Sequence, residues 1–275
     1  LAAQRNDRLV SWIHENVTFA CSMVDRITPR TTEALETEMA TYFGHNAQSP
    51  VHAEAFIQWV LEDRFASDFP DLSKVGVEIV AVVVPYEETK IRILNGGHTG
   101  LAYLGALAGH ETFDQAMQDQ EIRAHFDAWE RDEVLIGLDK NIPFDTVAYL
   151  GEISRRFENS GIADSLERIC MDGYSKMSIY IRPTLSACLK LGVLPKAGFD
   201  CIASWVVYTR CVQEGLCKVP YHEPLWDRVA TLLAEGNETR LANDNELWGD
   251  LPKRYNEFVP ALVAAIEEMD KKWRA

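Results

Sequence analysis

Two patterns of hydrophobic positions divide the chain into a first third of mixed elements and a longer helical remainder. In the first third, apolar residues at helical spacing predict helices over 1–15, 30–42 and 51–65. Alternating and β-branched residues predict strands over 17–24 and 75–84. This mixture is typical of an α/β domain, and we predict that residues 1–85 are its closing part.

The remainder, residues 86–275, is predicted to be mainly α-helical. Its helices are predicted over 99–108, 112–137, 144–158, 184–192, 196–213, 226–236 and 256–269. The helix over 196–213 is apolar on nearly every side, which predicts that it is buried. The large apolar side chains within 112–137 are better explained as core residues than as a cofactor site.

A lysine, an asparagine and a histidine lie close together near the start of the helical part. If this segment is α-helical, about 100° per residue places Lys90, Asn95 and His98 at roughly 0°, 140° and 80°, on one side of the helix. Gly96 and Gly97 add no side chain between Asn95 and His98, at about 1 kcal/mol each against Ala. We expect the glycines to leave space there for a small molecule.

These three groups suit proton removal from an alcohol while a hydride leaves the same carbon. A lysine that is desolvated in an apolar setting has its pKa lowered and can act as a general base. An amide and an imidazole can both hydrogen-bond an oxygen whose charge changes during the reaction. The spacing also fits an exposed lysine, a capping asparagine and a core histidine on an ordinary helix, and spacing alone does not decide between the two interpretations.

Three sequence blocks resemble the polyol-specific long-chain dehydrogenases, the mannitol 2-dehydrogenase family, whose relatives include fructuronate, tagaturonate and mannonate oxidoreductases. The blocks, in the order in which the family has them, are M-V-D-R-I-T-P at 23–29, P-Y-E-E-T-K-I-R-I-L-N-G-G-H at 85–98 and I-A-D-S-L-E-R-I-C-M-D-G-Y-S-K at 162–176. The K-x4-N-x2-H pattern in the second block is specific to this family. The resemblance implies a helical catalytic domain, similar to the C-terminal domain of 6-phosphogluconate dehydrogenase, after the tail of a Rossmann-like domain.

The resemblance also implies an activity, namely NAD- or NADP-dependent interconversion of a sugar alcohol and a ketose without a metal. Lys90 would be the general base, and Asn95 and His98 would hold the reacting oxygen. Glu87 would carry the proton from the lysine to water, although an i,i+3 salt bridge with Lys90 explains it equally well. A carboxylate beside Lys90 would also raise the lysine pKa, which opposes the role of a base.

The resemblance assigns further residues to the substrate and to the cofactor. Arg168 and Lys176 would bind the sugar chain, and Asp25 would contact substrate hydroxyls. Val24 and Asp25 would lie against the cofactor. From the residues alone, Asp25 and Arg26 could simply pair with neighbouring charges in a loop. Likewise, the i, i+4, i+8 spacing of Asp164, Arg168 and Asp172 fits a solvated ladder of salt bridges. Met171 and Tyr174 stand where some members carry His or Ser, which leaves the preferred substrate open.

Composition limits the partners. A net charge of −15 over 275 residues argues against binding to nucleic acid or to an anionic membrane surface. The six cysteines form no C-x2-C pair and no zinc spacing, which indicates reduced packing residues in a cytoplasmic protein. The chain has no 18-residue apolar run and no signal peptide. We expect a monomer or a small homo-oligomer whose partners are small molecules.

The sequence has no G-x-G-x-x-G motif, which is the usual mark of a dinucleotide site. We therefore expect the chain to be the carboxy-terminal part of a larger enzyme, with most of the nucleotide-binding domain upstream. Two other functions stay open. Arg168 or Lys176 could pair with a substrate carboxylate, which would make the protein a hexuronate oxidoreductase. Without its nucleotide domain, the chain could also be an inert helical binding module.

Overall fold

The computed structural model describes residues 6–46 and 49–274, and the chain divides into two compact units. The first unit is Leu1–Glu88 and the second is Thr89–Ala275. The chain is mainly helical with one small sheet, as the sequence predicted. Across the described ranges, we find no helix that is both long enough and apolar enough to cross a bilayer.

The described residues of the first unit form a three-stranded sheet and three α-helices. In chain order its elements are α1 (Asp7–Asn16), β1 (Ser22–Asp25), α2 (Glu33–Phe43), β2 (Gln58–Glu62), a 3₁₀ turn (Leu72–Val75), β3 (Glu78–Val80) and α3 (Val84–Thr89). The central strand β2 pairs antiparallel with β1 and parallel with β3. Met23, Val60 and Val83 form its small apolar core.

The helix predicted over 51–65 is wrong, because this segment forms the central strand β2 at Gln58–Glu62. Val60 and Leu61 are consecutive and both buried, as expected for a strand covered on both faces. A short apolar run of this kind cannot be distinguished from a buried helix by periodicity. The flanking strands β1 and β3 are shorter than predicted, and the described part of the predicted N-terminal helix is α1.

The second unit is built from helices, three of which are π-helical. They are π1 (Lys90–Gly96), α4 (Gly97–Leu107), α5 (Phe113–Gln118), α6 (Gln120–Ala128), π2 (Trp129–Val134), α7 (Leu135–Gly137), α8 (Thr146–Phe157), α9 (Leu166–Cys170), α10 (Gly173–Lys176), π3 (Met177–Ile181), α11 (Arg182–Lys190), α12 (Lys196–Gln213), α13 (Trp226–Leu232), α14 (Glu238–Ala242), α15 (Asn245–Trp248), α16 (Leu251–Arg254) and α17 (Phe258–Arg274).

Helix α12 lies at the centre of the second unit, packed against α4 and α17, and is buried along most of its length as predicted. Its first turn is capped by a carboxylate from π2. The two oxygens of Glu133 accept the backbone N–H groups of Ala197 at 2.6 Å and Gly198 at 2.9 Å. These bonds satisfy two of the donors that a helix N-terminus leaves unpaired. Burial nevertheless raises the pKa of Glu133 to about 7.

Candidate active site

Lys90, Asn95 and His98 lie on consecutive turns of one continuous helical segment, but its first part is not α-helical. Residues Lys90–Gly96 form the π-helix π1, which passes into α4 at Gly97. The wider i→i+5 turn brings Lys90 and Asn95 closer to one side than the 140° predicted for an α-helix. All three side chains are half-buried. Such π-helical turns interrupt α-helices most often at functional sites.

Two further π-helices pack against π1. Both π2 and π3 contact it, so the helix that carries the lysine is supported on two sides by wide turns of the same kind. Behind π1, Arg92 is buried and donates from Nε to the Thr184 hydroxyl at 3.1 Å and from Nη1 to the Gly137 carbonyl at 2.7 Å. These bonds fix π1 to α11 and α7.

The two glycines do not clear space for a substrate, and this part of the sequence-based interpretation is wrong. A Cβ atom at Gly97 would lie 2.4 Å from Oε1 of Glu130 and 2.9 Å from the Phe126 ring. A Cβ atom at Gly96 would lie 3.5 Å from the Trp129 ring. The glycines therefore allow α6 and π2 to approach the helix closely. Glu130 is fully buried there, and burial raises the pKa of its carboxyl group well above its usual value.

The imidazole of His98 is held between two phenylalanine rings. Phe157 stacks on it with ring centres 5.1 Å apart, and Phe113 meets it edge-on at 4.4 Å. Only 14% of the His98 side chain is exposed, and its Nε2 atom lies 3.9 Å from Oδ2 of Asp164. Aromatic packing on two sides fixes the plane of the ring and keeps water from most of it.

Burial and surrounding positive charge keep His98 neutral. Desolvation is the largest cause, and the charges of Arg168, Lys176, Arg156 and Lys90 add to it, so that the pKa of His98 lies well below its ordinary value. A neutral imidazole carries one N–H donor and one acceptor nitrogen. It can therefore hydrogen-bond a hydroxyl or a carbonyl oxygen at neutral pH.

We expect His98 to make the fold acid-sensitive. A histidine whose pKa is lower in the folded state contributes stability that is fully present above about pH 6.5 and is lost as the pH falls below it. Lowering the pH from 7.5 to 5.0 should therefore reduce the free energy of unfolding of both proteins. The reduction should be about 1–2 kcal/mol smaller in His98→Gln than in the parent. Urea unfolding at both pH values measures this difference, and equal losses in the two proteins would contradict it.

Arg168 and Lys176 come from two short helices that approach the histidine. The Nε atom of Arg168 donates to Oδ1 of Asp164 at 2.7 Å, and Nη2 of Arg168 donates to Oδ2 of the same carboxylate. Asp164 is only 5% exposed and Arg168 is 32% exposed, so this part of the predicted ladder is a partly buried pair and not a fully solvated one. Lys176 donates to the carbonyl oxygen of Ile169. Burial, reinforced by the charge of Arg168, lowers the pKa of Lys176.

The structure thus brings Lys90, Arg168 and Lys176 into the electrostatic surroundings of His98. The other predicted residues belong to the first unit. Asp25 is buried and Val24 is 54% exposed, both at the end of β1, and Glu87 is exposed on α3. Their roles stay predictions.

Sequence reasoning missed several residues that shape this site. Arg156 on α8 acts electrostatically on His98, and Phe113 and Phe157 pack on its ring. Both phenylalanines follow helical apolar spacing, which predicted only that they are buried. Asp164 was recognised solely as a member of a charge ladder. Nothing in a local pattern indicates which of these side chains meets His98, from which they are separated by 15 to 66 positions in the sequence.

Comparisons with known proteins identify the family of the chain. A model of the mannitol dehydrogenase C-terminal domain matches residues 82–270, and a model of the mannitol dehydrogenase Rossmann domain matches residues 1–74. The chain is 34% identical over 278 residues to a D-arabinitol 4-dehydrogenase of Ralstonia nicotianae, covering 100% of this chain and 59% of that protein. It is 33% identical to a D-mannonate oxidoreductase of Escherichia coli, covering 98% and 56% respectively.

Solved structures give the same relationship. The structure of Pseudomonas fluorescens mannitol 2-dehydrogenase in a ternary complex with NAD and D-mannitol superposes with a TM-score of 0.88 at 33% identity. It is matched over 98% of this chain and 56% of that one, so this chain spans little more than half the length of its relatives. On these matches, which extend over nearly every residue from the first strand to the last helix, the chain belongs to the mannitol dehydrogenase family.

Proposed function

We propose that the protein is an NAD- or NADP-dependent oxidoreductase that interconverts a sugar alcohol and a ketose, of the mannitol/fructose or arabinitol/xylulose type. The observation that carries this proposal is the imidazole of His98, which is packed between two phenylalanine rings, is 14% exposed and has the cations Lys90, Arg156, Arg168 and Lys176 around it. A neutral donor surrounded by fixed positive charge suits an oxygen that gains negative charge as its proton leaves.

In the proposed reaction, Lys90 takes the proton of the substrate hydroxyl. Asn95 and His98 hydrogen-bond the oxygen while it changes from alcohol to carbonyl. The nearby cations stabilise the transient negative charge on this oxygen. Their effect is strong because the site is largely shielded from water. Glu87, which is exposed, is proposed to pass the proton from the lysine to solvent.

The bound cofactor would supply the acceptor for the hydride. One feature of the first unit fits it. Val24 presents an exposed apolar side chain beside the buried Asp25 at the carboxyl end of β1. The match of residues 1–74 to the mannitol dehydrogenase Rossmann domain supports a cofactor site in this unit, and Val24 and Asp25 are proposed to lie against the cofactor. Asp25 is also proposed to hydrogen-bond substrate hydroxyls.

Arg168 and Lys176 are proposed to orient the remaining hydroxyls of the sugar chain. The planar fork of Arg168 is already directed by Asp164, and the ammonium group of Lys176 by the carbonyl of Ile169. Each keeps further N–H donors that a polyol oxygen can use. Groups held in this way lose little freedom on binding, which favours affinity for a flexible substrate.

A hexuronate oxidoreductase is the second candidate. Besides the arginine already paired with Asp164, the surroundings of His98 contain Lys90 and Lys176, and their positive charge would attract a substrate carboxylate. The 33% identity to a D-mannonate oxidoreductase supports the same possibility.

The two candidates are separated by turnover of the full-length protein, followed through the absorbance of NADH or NADPH. Mannitol, arabinitol and sorbitol test the oxidation, and fructose and fructuronate test the reduction. We expect turnover with a neutral polyol and its ketose. Turnover with fructuronate alone would move the assignment to the second candidate, and no turnover with any of them under either cofactor would leave an inert binding module.

A further inference from the structure

We propose that Asp164 is a positioning residue that holds His98 and Arg168 in one fixed relation. This inference rests on the proposed function, in which His98 receives the reacting oxygen and Arg168 binds the rest of the substrate. Because the two residues would hold different parts of one molecule, the geometry between them decides which hydroxyl reaches the base.

The side chain of Asp164 bonds Arg168 and lies beside the ring of His98. Its two oxygens accept the forked N–H groups of Arg168, one of them at 2.7 Å. The oxygen that receives Nη2, Oδ2, also lies 3.9 Å from Nε2 of His98. The carboxylate is 5% exposed, so water replaces neither contact. A carboxylate that accepts two parallel hydrogen bonds fixes both the distance and the plane of the guanidinium group.

The backbone of Asp164 is fixed independently of its side chain. Its carbonyl oxygen accepts the N–H of Phe113 at 2.9 Å, and the ring of Phe113 meets the His98 ring at 4.4 Å. On one side the chain is turned by Ala163, at a φ of 43°. On the other side Ser165 caps α9 through the N–H of Arg168 at 3.2 Å. The backbone of Asp164 thus binds Phe113, the ring of Phe113 packs on His98, and His98 lies beside the carboxylate of Asp164.

The charges around His98 make Asp164 electrostatically distinctive. Four cations act on the imidazole from four elements, namely Lys90 of π1, Arg156 of α8, Arg168 of α9 and Lys176 of α10. Asp164 supplies a carboxylate within 4 Å of the ring. Removing that charge would leave the cations less opposed and make protonation of His98 still harder.

We test this with Asp164→Asn in the full-length protein, which keeps the size of the side chain and removes its charge. Asp145→Asn is the matched control, because Asp145 is an exposed helix cap and Asn caps equally well. For the preferred polyol, we expect KM to rise and kcat to fall in Asp164→Asn, with kcat/KM lower by about 30-fold or more. Asp145→Asn should stay within about twofold of the parent.

The titration of His98 gives a readout that a merely structural role would not move. With ¹³Cε1-labelled histidine, the His98 resonance is assigned by its absence in His98→Gln. We expect its midpoint to move to lower pH in Asp164→Asn. In Arg168→Gln, which removes a cation and leaves the carboxylate beside the ring, we expect it to move to higher pH. Opposite shifts of the His98 midpoint in Asp164→Asn and Arg168→Gln would support a carboxylate that acts on both His98 and Arg168.

The inference fails if Asp164→Asn folds and keeps kcat/KM within about threefold of the parent. It also fails if the His98 midpoint is unchanged in Arg168→Gln, a result that can be obtained even where Asp164→Asn does not fold. Absence of polyol turnover in the parent protein would instead overturn the proposed function. In that case the two histidine titrations still decide whether Asp164 fixes the pair.

Discussion

Replacing Lys90 by alanine is expected to lower kcat for polyol oxidation by at least about 100-fold, the usual scale for loss of a general base. The side chain is half-buried at the first residue of π1, where it acts electrostatically on His98. Alanine leaves no group at this position that can accept the hydroxyl proton. KM should change much less than kcat, because the proposed substrate ligands Arg168 and Lys176 are unchanged.

The measurement is initial-rate kinetics of the full-length protein over a range of pH. Lys190→Ala is the matched control. Lys190 is an exposed lysine at the end of α11, and its replacement by alanine removes the same charge. This variant should keep parental kinetics. Turnover of Lys90→Ala near that of Lys190→Ala would rule out the lysine as the base and leave the surrounding charges as the source of catalysis.

Local periodicity predicted the helical remainder well because most of its helices bury one apolar face. The buried face of α8, for example, contains Leu150, Ile153 and Phe157, and α12 is apolar on nearly every side. The same reasoning failed at β2, where Val60 and Leu61 are buried on opposite faces of a strand. A continuous apolar run does not distinguish these two environments, because both remove every side chain from water.

The candidate site was only partly predictable. Its lysine, asparagine and histidine were singled out by their spacing and by the resemblance of one sequence block, but the π-helix that carries Lys90 and Asn95 has no periodicity signal at this length. The surroundings of His98 are formed by segments far apart in the chain, including α8 and the loop before α9. Their convergence follows from helix packing, which a local pattern of residues does not contain.

Replacing Gly97 by alanine is expected to destabilise the second unit by about 1–3 kcal/mol and to impair the site. The new methyl group would lie 2.4 Å from Oε1 of Glu130 and 2.9 Å from the Phe126 ring. Both neighbours are almost completely buried, so neither can move into solvent. Because His98 is the next residue, displacement of this turn would also lower kcat. Urea unfolding and kinetics of the full-length protein measure the two effects.

Gly100→Ala tests whether the destabilisation of Gly97→Ala comes from the clash of the new methyl group and not from the loss of a glycine as such. Gly100 lies one turn further along α4, and a Cβ atom there would be 3.7 Å from the Sγ of Cys201, an ordinary contact. Alanine should therefore be neutral or stabilise α4 by up to about 1 kcal/mol through its higher helix propensity. Combining Gly97→Ala with Glu130→Ala removes the nearest clashing atom and should restore about 1 kcal/mol of stability relative to Gly97→Ala. If Gly97→Ala and Gly100→Ala were equally stable, the helix would have shifted to accept a methyl group at Gly97. The close approach of this helix to π2 would then not be required.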